Sequence, residues 1–210
     1  MTKTNTFEIT GAVASRDLFS LPPPAADKGA PLMAALKERR SARTFSEEPV
    51  TDQQLSELLW AANGISSSPE THEDKGLRTA PSAKNHQEIE LYVFLPSGIY
   101  LYDALNNQLA LIRDGDHRSS AGRQPFFEEA PLSVCLVADF SKMGNYLEKK
   151  RAFFSGLDAG YVSQNIYLYC ASEGLATVAC GMINRKLLHP LLKLEDAKAM
   201  LSHPVGVRKI

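Results

Sequence analysis

The chain has 210 residues and a formal net charge of −1, with 44 % hydrophobic and 22 % charged residues. That balance fits one ordinary domain with a buried core and excludes a disordered chain or a membrane bundle. There is no basic stripe of the kind that phosphate-backbone binding leaves, so nucleic acid is not an expected partner. No run reaches the ~18 apolar residues of a membrane span.

Residues 1–31 are polar or broken by proline, most sharply at Leu21-Pro22-Pro23-Pro24. They read as an extended N-terminal arm ahead of a single domain over 32–210. The first twenty residues lack the apolar core of a secretory leader, so a cytoplasmic location is expected, an already removed leader being the alternative. From Pro31 onward Leu32, Met33 and Leu36 recur at helical spacing, which predicts a helix to about Arg40. A second helix follows. Thr51 and Gln54 form a capping-box pattern, Leu55, Leu58, Leu59 and Ala62 make one apolar face, and Gly64 suits a left-handed cap.

Residues 65–80 are rich in turn formers and poor in apolar residues, as in a mobile surface loop. A meander comes next: a strand over Ile89–Leu95, a turn at Pro96-Ser97-Gly98, a strand over 99–102, a turn at Asn106-Asn107 and a strand over 108–112. After a short polar helix near 117–124, the continuous apolar run 132–138 predicts a central strand buried on both faces. The longest helix, 146–173, carries Phe153, Leu157, Tyr161, Ile166 and Leu168 on more than one side. Burial nearly all round is therefore expected, as a core spine or half of a subunit interface. Gly174 ends that helix, and 175–183 predict a second buried strand, 185–194 a short amphipathic helix and 200–207 a closing strand.

Dinucleotide, Walker, nucleophile-elbow, zincin and C-x-x-C motifs are all missing. The cysteines Cys135, Cys170 and Cys180 lie in apolar stretches without metal spacing, so neither a disulfide framework nor a structural zinc site is expected. The histidines are scattered, and none is assigned a role. What remains is the cluster Arg39-Arg40-Ser41-Ala42-Arg43. Guanidinium forks bind phosphate oxygens bidentately, and Arg39 and Arg43 share a face if the helix continues. The alternative is a set of cations that only complement the macrodipole of a helix C-terminus.

Four blocks in order, spanning 32–209 and so nearly the whole chain, resemble the nitroreductase family. They are the cluster with its flanks (36–45, then 50–62), Thr79-Ala80-Pro81-Ser82-Ala83-Lys84-Asn85, the stretch from Leu157-Asp158-Ala159-Gly160 through Gln164-Asn165-Ile166-Tyr167-Leu168 to Glu173-Gly174-Leu175, and His203-Pro204-Val205-Gly206-Val207. The resemblance implies an α+β fold with a central, mostly antiparallel sheet flanked by helices, and an intertwined homodimer holding FMN where the subunits meet. In it, Arg39, Arg40, Ser41 and Arg43 would hold the flavin's phosphate, ribityl chain and N1/O2 edge. Pro81, Ser82, Ala83 and Asn85 would form a turn that reaches the partner's FMN, a plain surface turn being the alternative. The backbone N–H groups of Cys180 and Gly181 would face N5 and O4. Arg208 and Lys209 would add phosphate-binding charge, or else be solvated terminal charge.

The reaction implied by the resemblance is hydride transfer from NAD(P)H to flavin N5 and on to a small electron-poor acceptor, such as a nitroaromatic or quinone, in a ping-pong cycle. No side-chain acid or base is needed. The chain departs from the best-known members at Cys180, where they carry a glutamate. Its Gly98–Asp103 meander looks more like the branch that oxidises azoline rings. These departures keep open an FMN-dependent dehydrogenase or oxidase of a small molecule or peptide azoline, and a flavin-binding protein without turnover is a third reading.

Overall fold

The computed structural model describes residues 18–67 and 76–209. Two apolar runs form its centre. In β4 (Ile89–Leu95), Leu91, Val93 and Leu95 face one side and Tyr92 and Phe94 the other, while in β7 (Leu132–Asp139) Val134 and Leu136 alternate with Cys135 and Val137 in the same way. Both faces are covered, which is why these strands read as continuous rather than alternating hydrophobic sequence. On one face lie α2 (Asp52–Asn63), through Leu55, Leu58, Leu59 and Ala62, and α4 (Glu148–Ser172), through Ala159, Val162, Ile166 and Cys170. On the other lie α3 (Phe126–Glu129), through Phe127, and α5 (Arg185–Leu191), through Leu188.

The sheet is completed by β1 (Leu18–Ser20), β5 (Gly98–Asp103), β6 (Gln108–Asp114), β8 (Leu175–Thr177) and β9 (Ala197–Val207). Its order is β1-β6-β5-β4-β7-β9-β8 and every pairing is antiparallel. The fold class is therefore the expected α+β one. The expected arm enters the description only at Leu18, where β1 pairs with the meander's outer strand; residues 1–17 lie outside the described residues. A bulge where Leu136 pairs Leu201 but Val137 pairs Ala199 lets β9 start at Ala197, ahead of the expected 200.

Several expectations need correction. Helix α1 (Leu32–Glu38) ends before Arg40, and Arg39 already has ψ 121°. Gly64 closes α2 in extended conformation (φ −73°, ψ 176°), not in the left-handed region. Its role is close approach, since a Cβ there would stand 2.5 Å from the Trp60 ring. The loop 65–80 contains a small hairpin of β2 (Ile65–Ser67) and β3 (Leu77–Arg78), while residues 68–75, on which the expected mobility of that loop chiefly falls, lie outside the described residues. The helix expected near 117–124 is a single tight turn (Arg118–Ala121), and α3 begins only after Pro125. The strand expected over 175–183 stops at Thr177 and resumes as a single bridge between Cys180 and Ser202. Finally, α4 is buried on one side in the single chain. Ser155, Asp158, Ala159, Val162, Ser163, Ile166 and Cys170 face inward, whereas Phe153, Leu157 and Tyr161 are 62, 46 and 49 % exposed.

Candidate functional site

After α1 the chain runs extended along the end of the sheet, with Ala42 N–H donating to Thr177 O of β8 at 2.9 Å and Phe45 bridging Arg208. Arg39 and Arg43 therefore do not share a helical face; the tie to β8 replaces the helical continuation that would have aligned them. Arg40 folds back on the helix end, donating from Nη1 to Lys37 O at 2.7 Å and Arg39 O at 2.8 Å. The dipole-complementing alternative thus describes Arg40 well. It does not describe the others. Arg39 lies 5.2 Å over the Tyr167 ring, and Arg43 is exposed and close enough to Cys180 to oppose the upward push of burial on that thiol. Among the described residues none of the three arginines forms an ion pair with an acid.

Tyr167, on α4, joins two strips. Its hydroxyl accepts from Ala179 N–H at 2.8 Å and shares a 2.8 Å hydrogen bond with Ser41 Oγ. Behind it lies His203, fully buried, with Nε2 at 2.9 Å from Ser163 Oγ, Nδ1 at 3.2 Å from Thr177 Oγ1, and its ring edge-on to Tyr167. Burial pushes the His203 pKa down to about 3, so the ring is neutral and works as a hydrogen-bonded spacer between α4 and β8. Sequence reasoning assigned a role to neither residue. Tyr167 stood only inside the resembling block 164–168, without a role of its own, and a lone histidine carries no signal until its neighbours are known.

The Cys180 N–H donates to Ser202 O and the Cys180 carbonyl accepts from Ser202 N–H, both at 2.9 Å. This corrects the expectation that the Cys180 amide faces a flavin, because the donor is already committed to the sheet. Gly181 is exposed, and a Cβ on it would meet no atom within 4 Å. Arg208 donates its N–H to Gly174 O at 3.1 Å, so its backbone is part of the closing ladder, whereas Lys209 is exposed.

Pro81, Ser82, Ala83 and Asn85 lie elsewhere. Their tight turn is stapled to α4 by Ala83 N–H donating to Asp158 Oδ2 at 2.9 Å, and to Gln87 through Ser82 Oγ at 2.9 Å and Asn85 Oδ1 at 3.0 Å. Asp158 and Tyr167 are nine positions apart on α4, about 13 Å along a helix. The structure thus gathers 39–43, Gly181 and Arg208 around the C-terminal half of α4 and sets the Pro81 turn at its middle. A separate cavity of about 390 Å³ between α1, α2 and α4 is lined by Lys28, Glu57, Trp60 and Tyr169. Its charges pair with each other, Lys28 Nζ standing 2.8 Å from Glu57 Oε2, and it does not include the arginines.

Residues 36–207 match the model of the Nitroreductase family. The chain belongs to the nitroreductase family. A putative nitroreductase from Ralstonia eutropha has a crystal structure that covers 95 % of this chain and 93 % of its own, with TM-score 0.85 and 40 % identity. A putative nitroreductase of Methanocaldococcus jannaschii is 29 % identical over 185 residues, 83 % of this chain and 89 % of that protein. The NADPH:FMN oxidoreductase of Vibrio harveyi, solved with NAD+, shares the fold at TM-score 0.61 and 18 % identity over 85 % of this chain and 69 % of its own. Family membership makes the protein an oxidoreductase enzyme with the nitroreductase fold. Among the described residues no helix is long and apolar enough to cross a membrane, and no cluster of side chains has the makings of a metal site.

Proposed function

We propose that this nitroreductase-family protein binds FMN between two copies of the chain. One observation carries the reading: Arg39 and Arg43, unpaired with any acid among the described residues, are held by the Ala42–Thr177 and Ser41–Tyr167 bonds beside the open backbone at Gly181. A phosphate needs cations and a planar ring needs a wall without side chains, and this set of donors fits both. Arg39, Ser41 and Arg43 would hold the phosphate and polar chain, the backbone at Gly181 would meet the ring edge, Arg208 would add positive charge, and residues 32–210 would form the FMN-binding domain. When bound, FMN would supply the hydride chemistry, between NAD(P)H and a small electron-poor acceptor such as a nitroaromatic or quinone in alternating half-reactions. The chain's own part is to fix the group, set cations where negative charge would develop on it and leave one side open.

The second copy is supported by the separation of the Pro81 turn from the arginines and by the bare apolar stripe of α4. A two-fold partner would bring its own Pro81, Ser82, Ala83 and Asn85 to the cofactor and cover Phe153, Leu157 and Tyr161. The Bacillus subtilis FMN reductase [NAD(P)H], 25 % identical over 78 % of this chain and 59 % of its own length, lends support to both the cofactor and the donor.

The test is direct. The purified protein, reconstituted with flavins and washed, is denatured and the released molecule identified by mass. FMN is expected at one per chain, with bleaching on anaerobic addition of NADH or NADPH. Release of FAD, or of nothing, overturns the site; FMN that stays yellow under both donors overturns the reductase direction and favours the dehydrogenase.

A further inference from the structure

Glu88 lies just before β4. Its backbone carbonyl accepts from Asp139 N–H at 2.9 Å and its side chain is fully buried. Its polar neighbours are Asp158, on the inward face of α4, and Ser155, three residues earlier on the same face. Ser155 turns its hydroxyl to Met143 Sδ at 3.2 Å, and neither Glu88 oxygen accepts a hydrogen bond. Among the described residues no lysine or arginine forms an ion pair with Glu88 or Asp158.

An ionised Glu88 in this place would be a buried charge with no cation paired to it among the described residues, and it would stand beside a second carboxylate. Its own backbone N–H and the Ser155 hydroxyl are nearby but not hydrogen-bonded to it. A neutral carboxylic acid has one O–H to give, and Asp158 is the acceptor next to it. Asp158 meanwhile accepts from Ala83 N–H through Oδ2 at 2.9 Å, a charge-assisted bond only while Asp158 stays ionised. The segment held in this way needs holding: Lys84, Asn85 and Gln87 all adopt left-handed backbone angles, with φ of 51, 54 and 53°, which side-chain-bearing residues rarely take unless their surroundings impose them.

We propose that Glu88 and Asp158 share one proton as a buried acid–carboxylate pair, and that the pair makes Asp158 the positioning residue of the Pro81-Ser82-Ala83 turn. The positioning role rests on the FMN reading above, because that turn is the part meant to reach the partner's cofactor; the shared proton does not depend on it. Burial and the neighbouring Asp158 carboxylate both push the Glu88 carboxyl above its usual range, in agreement with the geometry. The arrangement removes the like-charge repulsion that two buried carboxylates would otherwise direct at the turn, and leaves the full negative charge where Ala83 can use it.

The test uses the full chain with and without FMN. In heavy water at neutral pH the wild type should show the infrared C=O stretch of a buried protonated carboxylic acid, and E88Q should lose it. Exchange of the Ala83 amide should be slow in wild type and E88Q, and fast in D158A. FMN affinity should fall about tenfold or more in E88A and D158A, the range for a hydrogen bond to a charged group, and be restored by the conservative E88Q. Absence of the acid band in wild type overturns the shared proton. Slow Ala83 exchange in D158A overturns the staple. If D158A does not fold, D158N, which still accepts from Ala83 but without charge, is measured instead; an intermediate loss of affinity supports the role and none overturns it. Wild type that binds no FMN overturns the positioning role and the proposed function together, whereas wild type that binds FMN no better than D158A overturns the positioning role alone.

Discussion

Arg40 and Arg43 stand three residues apart and face different tasks. Arg40 commits its guanidinium to the open carbonyls at the end of α1, while Arg43 is exposed and, among the described residues, has no acid and no carbonyl bound to it. Arg39→Ala and Arg43→Ala should therefore weaken FMN binding by about 1.5 to 3 kcal/mol each, and Arg40→Ala by no more than about 1 kcal/mol, as fluorescence titration would measure. Equal losses at all three would mean that Arg40 leaves the helix end to meet the ligand. At His203 the expectation concerns pH. Its folded-state pKa, about 3, lies below the ordinary value near 6.5, so the unfolded chain binds the extra proton and protonation favours unfolding. The stability from burying neutral His203 is fully present above pH 6.5 and declines by up to about 1.4 kcal/mol per pH unit below it, toward pH 3. Urea unfolding between pH 6.5 and 5, where exposed carboxylates are still ionised, should show this slope in wild type and a flatter one in His203→Asn.

At the scale of elements, the capping box at Thr51 and the meander were legible because their signals are local: an N-terminal pair of side chains in one case, strands separated by turns of two and four residues in the other. The end of α1 was not legible, because Ala42 leaves the helix to meet Thr177, which lies 135 positions later in the chain. The same holds for the site. The arginines carried their chemistry in residue type and spacing, but Tyr167 and Asp158 acquire roles only through partners brought by the fold, and the commitment of the Cys180 amide to Ser202 could not be seen before β9 was placed. For α4 the sequence showed an excess of apolar residues without saying which side meets which surface. Its exposed stripe sets Phe153, Leu157 and Tyr161 four residues apart, with Gly156 and Gly160 between them opening onto empty space. Leu157→Glu with Tyr161→Glu should turn a species of about twice the 23.0 kDa chain mass, seen by sedimentation, into a single-chain one, and FMN retention should be lost with it. A double variant that keeps both the mass and the cofactor would show that another surface joins the copies.

Seen as a whole, the molecule is one antiparallel sheet whose strand nearest the C-terminus is not at an edge. β9 lies between β7 and β8, and the residue after it, Arg208, bridges back to Phe45 at the far end of the arginine strip. Before β9 arrives, β8 has no neighbour in the sheet, the Cys180 bridge has no Ser202 and His203 is missing from behind Tyr167. On the ribosome, the meander and α4 are therefore made ahead of the strand that unites them, and the segment proposed to receive the cofactor stays unpinned until β9 has followed. A nascent chain that has not yet reached β9 lacks the pairs that hold the arginine strip in place, so assembly of the proposed site waits on one late strand pairing with distant partners.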